Sequence, residues 1–560
     1  MKFSVKPRAS QALKTRGDAH AVKLEGSWLV VYSKRSTRIQ ACTVCEDCAN
    51  RVVSFGCFVV VNRVVVRMSL VRIGMAGVVI CSVLCGGLVA ADDLASGQTE
   101  SARRPLNVLF IISDDLTLNA LSCYGNEVCQ TPNIDALASS GTRFTRAYCQ
   151  GTYCGPSRAS FMSGYYPHAT GILGYISPRK AIGDRATWAQ HFKNFGYYTS
   201  RVSKIFHMGV PGGIEKGDDG ADDPISWTER FNSQGPEWRA PGKGETLENN
   251  PDGKKPAVGG NTFVVVQADG DDLVHSDGRT AEKACQLIHE HKDEPFFLGV
   301  GFVRPHVPFV APASYHEPFP EAEMELPEKV AGDWDDIPKL GINYKTSKNM
   351  KMNVQRQRKA VAGYYASVAY MDAQVGKVMS ALQQAGIADR TIVIFTSDHG
   401  YHLGEHDFWA KVSLHEESVL VPLIIRVPGK QPAVCESLTE LIDLYPTVSS
   451  LCGLEVPDRL QGIDISGMLD DPELELRETA LSVNGKGYLI RSQRYAYIRY
   501  RENASGGEEL FDMQTDPLQY TNLVDDPAYA ATLKKMRSEF AKTMQRVRDN
   551  DLAASPRSKN

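Results

Sequence analysis

The sequence predicts an α/β protein: a large, mostly parallel sheet sandwiched by helices, with a smaller C-terminal α+β subdomain. Three observations carry this expectation. Residues 106–113 (LNVLFIIS), 296–302 (FFLGVGF), 391–397 (TIVIFTS) and 421–427 (VPLIIRV) are continuous apolar runs, as expected of strands buried on both faces. Long helix-compatible stretches around 280–291 and 360–385 precede two of these runs, which is the alternation a parallel sheet requires. Near residue 455 the pattern changes. Residues 488–500 (YLIRSQRYAYIRY) alternate and are aromatic, suiting half-exposed antiparallel strands, and a helical stretch at 528–549 follows.

The elements fit the bulk properties. A chain of 560 residues exceeds what one core usually holds, so a large domain with a smaller one is expected. Its 42% hydrophobic and 23% charged residues are ordinary for a folded soluble protein and exclude disorder, collagen and a polytopic membrane protein. Charge is uneven: residues 1–67 carry net +8, whereas 92–560 carry net −13. An acidic body argues against a nucleic-acid surface, and an anionic substrate would need a local positive pocket. Residues 209–262, rich in Gly, Pro, Asp and Asn, read as an irregular loop insert.

Residues 1–67 do not read as a domain, and we expect them to be a non-native upstream extension, with synthesis starting at Met68. Residues 68–91 then form a signal peptide: Arg72, a glycine-containing apolar stretch, and Ala90-Ala91 before Asp92-Asp93. Cys42, Cys45 and Cys48 lack a convincing fourth zinc ligand. Seven cysteines follow residue 91: Cys123, Cys129, Cys149, Cys154, Cys285, Cys435 and Cys452. An odd count in an exported chain leaves at least one unpaired. Cys123 and Cys129 are near enough in sequence to bridge.

In open parallel sheets, sites lie beyond the carboxyl ends of strands. Run 106–113 leads into Asp114-Asp115, and run 391–397 into Asp398-His399. Three carboxylates and an imidazole gathered at a sheet edge call for a cation, and oxygen-rich ligands favour Ca²⁺ or Mg²⁺. For either pair alone the plainer reading, a helix cap or a solvated loop residue, is favoured, and finding two such pairs at strand ends weakens it. Between these runs stands Cys154-Gly155-Pro156-Ser157-Arg158. Pro156 suits a first helical turn, which places Cys154 at a helix N-terminus with Arg158 one turn on. Residue chemistry alone makes this a thiol of lowered pKa beside a cation, against the plainer reading of a structural cysteine.

The string 154–158 resembles the signature of the sulfatases, at which the cysteine is oxidised to formylglycine; Met162-Ser163-Gly164 departs mildly from the usual Leu-Thr-Gly. The resemblance covers nearly all of 105–525, including residues 131–138 (TPNIDALA) and Glu509-Leu-Phe-Asp512 with Asp516-Pro517. The chain looks most like the iduronate-2-sulfatase branch, through Ser203-Lys204 with His207, Arg304-Pro305-His306, and Asp398-His399 with Glu405-His406 and Lys411. The resemblance implies an alkaline phosphatase/sulfatase-like fold, with a catalytic domain at 105–455 and a C-terminal subdomain at 456–550. It implies that Asp114, Asp115, Asp398 and His399, together with residue 154, bind one Ca²⁺. It implies that Arg158 and Lys204 hold the formylglycine oxygens and that His207 takes a proton. His306 and Lys411 would face the sulfate and the leaving oxygen. Tyr401 becomes a candidate for bordering the substrate, while His402 and His406 are left without a role.

The expected function is therefore hydrolysis of sulfate esters on a sulfated saccharide. A phosphoester or phosphonate hydrolase of the same fold, and an inactive sulfated-glycan binder, are the alternatives; the complete residue set speaks against the latter. The expected partners are the saccharide and, during maturation, a formylglycine-generating enzyme, with no nucleic acid and no membrane span in the mature chain. The expected compartment is periplasmic or secreted, or lysosomal in a eukaryote.

Overall fold

A computed structural model describes residues 104–248 and 261–552, with the backbone of four short strands nearer the N-terminus. The chain divides into two units, 1–97 and 98–560. In the first, Ala19–Leu24 pairs antiparallel with Ser27–Tyr32, and Cys57–Val61 with Val64–Met68. Apart from Met68, the expected signal segment lies outside the described residues, as do Cys42, Cys45 and Cys48. Among the described residues no helix is long and apolar enough to cross a membrane.

The second unit is built on a nine-stranded sheet. In chain order its parts are β1 (Asn107–Asp114), β2 (Thr142–Tyr148), α1 (Cys154–Ser163), β3 (Tyr198–Ser203) and β4 (Glu229–Phe231). Then come α2 (Ser276–Glu290), β5 (Phe296–Pro305), α3 (Val354–Gln384), β6 (Thr391–Ser397), β7 (Leu420–Arg426), β8 (Ala433–Cys435) and β9 (Thr439–Glu440). The spatial order is β8-β2-β7-β6-β1-β5-β3-β4, with β9 also against β2. Strands β6, β1, β5, β3 and β4 run parallel.

Strand β1 shows why the apolar runs are continuous. Leu109 and Ile111 point into the core that α2 and α3 cover, while Val108, Phe110 and Ile112 point into the opposite core with Phe161 of α1. All five side chains are fully buried, each contributing about 1.5–3 kcal/mol relative to exposure. Helix α3 begins earlier than its apolar periodicity indicates, because Asn353 caps it by accepting the Arg356 N–H at 3.0 Å.

Two expectations change. The run at 421–427 becomes β7, which is antiparallel to both β6 and β2. The connection 398–419 carries two two-residue strands, a 3-10 turn and the four-residue helix Glu416–Val419, too little helix for a crossover, so the chain returns alongside β6. The segment read as irregular, 209–262, adds β4 to the sheet edge and contributes Gly242–Thr246 to a separate three-stranded sheet.

The C-terminal part has four antiparallel strands in sequential order, β10 (Thr479–Val483), β11 (Gly487–Ser492), β12 (Tyr495–Tyr500) and β13 (Glu508–Asp512), covered by α4 (Ala530–Arg548). The aromatic run of 488–500 is thus a hairpin of two strands. Strand β10 joins the segment that leads into α1: Thr152 N–H donates to Val483 O at 3.2 Å, and Val483 N–H to Gln150 O at 3.1 Å.

Candidate active site

Four adjacent parallel strands, β6, β1, β5 and β3, deliver site residues from their carboxyl ends. Strand β1 gives Asp114 and Asp115, β6 gives Asp398 and His399, β3 gives Lys204, and β5 gives His306. Ser397 pairs with Ser113 and Pro305 with Asp114, so the strands end level. Asp115 takes a left-handed φ of 63°, which turns the chain sharply and keeps both carboxylates in the site.

Helix α1 points its N-terminus at the same place. Tyr153, extended at the N-cap position, supplies no side-chain cap, so the first-turn N–H groups stay available. Gly155 is required here: a Cβ would stand 2.2 Å from Gly174 O, where the loop through Tyr175 crosses the helix. Cys154 Sγ lies 3.3 Å from Asp114 Oδ1, 3.4 Å from His399 Nε2, 3.4 Å from Lys411 Nζ and 3.9 Å from Lys204 Nζ.

Opposite charges interleave around this sulfur. Arg158 Nε donates to Asp398 Oδ2 at 2.8 Å and its Nη2 to Asp114 Oδ1 at 3.4 Å. Lys204 pairs with Asp114, and Lys411 Nζ stands 2.6 Å from Asp115 Oδ1. Burial alone would raise the Asp114 carboxyl, but Lys204, His306, Arg158 and Lys411 hold it well below the usual range. Burial likewise opposes the lowering of Asp115, which His306, Lys411 and His399 impose. Lys411 behaves conversely: Asp115, Cys154 and Asp114 outweigh burial and hold it firmly protonated.

The expectation of a low-pKa thiol is corrected. Complete burial, reinforced by Asp114, pushes Cys154 up against the opposing Lys204 and Lys411. A cationic neighbourhood does not activate a thiol whose nearest carboxylate is 3.3 Å away.

Asp114, Asp115, Cys154 and His399 bring one ligand atom each within 4.8 Å of one another. His399 Nδ1 lies 2.8 Å from Gly400 O, to which its N–H donates, leaving Nε2 toward the cluster. Asp115 Oδ2 is buried without a hydrogen-bond partner. Asp398 falls outside this group of four, because Arg158 takes one of its oxygens and the N–H groups of Asp115 and His399 take the other.

The histidines flank this centre. His306 Nδ1 lies on Val307 O and its Nε2 faces Asp115 Oδ2 at 3.7 Å; burial, opposed by Asp115, pushes its pKa down to about 3. His207 is not among the hydrogen-bond partners of Cys154. Burial and then Lys204 push it down to about 2, Asp114, Arg158 and Lys411 also act on it, and its Nδ1 is buried without a partner. Tyr175, which nothing in the sequence marked, stacks on the His207 ring at 4.2 Å and is 51% exposed. Tyr401 does not border open space. It is fully buried, stacked on Tyr364 at 5.4 Å, and belongs to the core behind Asp115. The described cysteines are unpaired, Cys123 and Cys129 included.

Known proteins resemble this chain over most of its length. The family model described as Sulfatase matches residues 106–454, and one described as N-sulphoglucosamine sulphohydrolase, C-terminal, matches 404–546. Iduronate 2-sulfatase of Homo sapiens is 35% identical over 65% of this chain and 72% of its own. That of Mus musculus is 31% identical over 81% of this chain and 97% of its own. The solved structure of a phosphonate monoester hydrolase from Silicibacter pomeroyi shares the fold, with a TM-score of 0.67 at 21% identity over 80% of this chain and 97% of that one. With the family model spanning most of the sheet and every strand end described above, the chain belongs to the sulfatase family, hydrolases of sulfate esters.

Proposed function

We propose that this protein is an exported, formylglycine- and calcium-dependent sulfatase acting on a sulfated uronic-acid residue of a glycosaminoglycan-type saccharide. The observation that carries the chemistry is residue 154 at a helix N-terminus, within 4 Å of two lysine ammonium groups and of a compact carboxylate–imidazole set. The substrate class is supported by the iduronate 2-sulfatase relatives.

The donor set fits a hard divalent cation. Its carboxylates are anionic oxygen donors, and they include Asp115 Oδ2, a buried acceptor without a hydrogen-bond partner. Asp114, Asp115, residue 154 and His399, with Asp398 beside them, would hold Ca²⁺, which supplies positive charge to a sulfate oxygen.

Formylglycine, once made from Cys154 and hydrated, would supply a hydroxyl nucleophile for sulfur and a second hydroxyl through which sulfate can be released. Arg158 and Lys204 hold those oxygens and spread their charge. His306 and Lys411 face the sugar oxygen as its bond to sulfur breaks; Lys411 already carries a proton to return, whereas His306, kept neutral by burial, must gain one as the sulfate binds. His207, neutral because it is buried, accepts the proton of the second hydroxyl. A thiol at 154 could not do this, since a sulfated cysteine has no internal route to release. Maturation would require a formylglycine-generating enzyme.

Peptide mass analysis of an active preparation tests the proposal and should find formylglycine at 154. Cys154→Ala should fold and be inert. Cys154→Ser should be nearly as inactive and retain covalent sulfate at 154, because serine lacks the second hydroxyl. Full turnover with an unmodified thiol would overturn the mechanism. Faster turnover of aryl phosphate than aryl sulfate would transfer the protein to the phosphonate hydrolase reading that the shared fold allows.

A further inference from the structure

Lys411 stands between two non-glycine residues in left-handed backbone, Ala410 at φ 64° and Val412 at φ 84°. A β-branched residue at such an angle is a backbone outlier that persists only where its surroundings impose it. Those surroundings are identifiable. Trp409 N–H donates to Lys345 O at 3.0 Å, and Asn343 Nδ2 donates to Trp409 O at 3.1 Å, fixing the turn before Lys411. Val412 N–H donates to Thr152 O at 3.1 Å, and Val412 O accepts from Asn484 Nδ2 at 2.7 Å. Further on, His415 Nε2 pairs with Glu509 Oε2 at 3.0 Å, both fully buried.

Asn484 and Glu509 belong to the C-terminal sheet. Asn484 follows β10 and is 5% exposed; its Oδ1 accepts the N–H groups of Lys486 and Gly487, both at 2.7 Å, so the turn between β10 and β11 fixes the side chain. The neighbouring Val483 is bonded to the segment 150–152 that leads into Cys154. One strand end of the C-terminal sheet therefore sets the position of both the nucleophile segment and the lysine turn.

We propose that Asn484 is a positioning residue: its amide holds Val412 in the left-handed conformation that aims Lys411 at residue 154. The proposal rests on the reading of Lys411 as a group that touches the sulfate. Without the amide, Val412 returns to ordinary backbone angles and the ammonium group leaves the site.

The test uses Asn484→Asp, which keeps the turn acceptor but sets a carboxylate oxygen against Val412 O, in the full, formylglycine-bearing enzyme. Aryl sulfate hydrolysis and thermal unfolding are read together. Asn484→Asp should lose about a hundredfold in kcat, the scale of a misplaced catalytic group. Val412→Gly alone should retain most activity, because glycine adopts positive φ freely. In the Val412→Gly background, Asn484→Asp should cost no more than about threefold, because the turn no longer needs a clamp. Wild-type kcat in Asn484→Asp, or an undiminished hundredfold loss in the glycine background, would overturn the proposal. If Asn484→Asp alone does not fold, Asn484→Ala in the Val412→Gly background decides by the same threefold criterion. Lys411→Ala separates the two readings. Full activity there would remove Lys411 from the chemistry, whereas an inactive Lys411→Ala beside a fully active Asn484→Asp would remove only the clamp.

Discussion

Two buried ion clusters in this molecule each set carboxylates against cationic side chains, and they differ in how the carboxylate oxygens are satisfied. In the first, Arg477 bridges Glu440 and Asp443, all nearly inaccessible. Every carboxylate oxygen there is used. Glu440 Oε1 accepts from Leu481 N–H at 2.7 Å and Oε2 from Tyr166 Oη at 2.6 Å. Asp443 Oδ1 accepts from Ile463 N–H and Oδ2 from Glu440 N–H, both at 2.8 Å. In the second cluster, Asp114, Asp115 and Asp398 face Arg158, Lys204 and Lys411, yet Asp115 Oδ2 has no hydrogen-bond partner. The first cluster, which joins the two parts of the chain, satisfies all its carboxylate oxygens and leaves only the Arg477 Nε donor without a partner. The second keeps a buried anionic acceptor, Asp115 Oδ2, for something absent from the fold itself, as a cation site requires.

Breaking each cluster should therefore give opposite signatures. Arg477→Leu should cost about 3–5 kcal/mol of stability by leaving two buried carboxylates uncompensated, while the protein that remains folded turns over normally. Urea unfolding with kinetics on the folded fraction checks this. Arg158→Ala should differ in the protein that remains folded, which loses about 3 kcal/mol or more of transition-state stabilisation, read as kcat/KM. Near-normal activity there would place the pocket elsewhere.

Calcium sharpens the comparison further. Chelated protein given Ca²⁺ at a hundred times its dissociation constant should gain about 2.7 kcal/mol in thermal unfolding. Asp115→Asn should abolish that gain and Arg477→Leu should leave it intact. The smallest expected effect concerns His306. His306→Ala should slow substrates with poor leaving groups about tenfold more than aryl sulfates, about 1.4 kcal/mol, because a leaving-group acid matters most for a basic oxygen. Equal losses across leaving groups would remove His306 from that role.

Much of the site was legible in the chain. The runs before Asp114 and Asp398 had to be buried strands, and α/β geometry places such strand ends together. Strand β3 was not legible. Its sequence YTSRVS looks exposed, and it is buried because Arg201 finds Asp222 at 2.8 Å and Asp219 at 2.9 Å, acids distant in sequence. Tyr175 and Asn484 carried no local signal either, since their importance lies in what they touch.

By itself the sequence determined the long apolar strands and helices, the carboxylates and imidazoles at strand ends, and the Cys154–Arg158 helix start. These are local properties, set by apolar periodicity and by residue type over a few positions. Only the tertiary structure decided that β7 runs antiparallel, that the Cys154 thiol is raised rather than lowered, and that Tyr401 is core. It alone placed Lys411 on a strained turn clamped from the C-terminal sheet. Each of these depends on burial or on a partner far along the chain, and neither can be read from neighbouring residues.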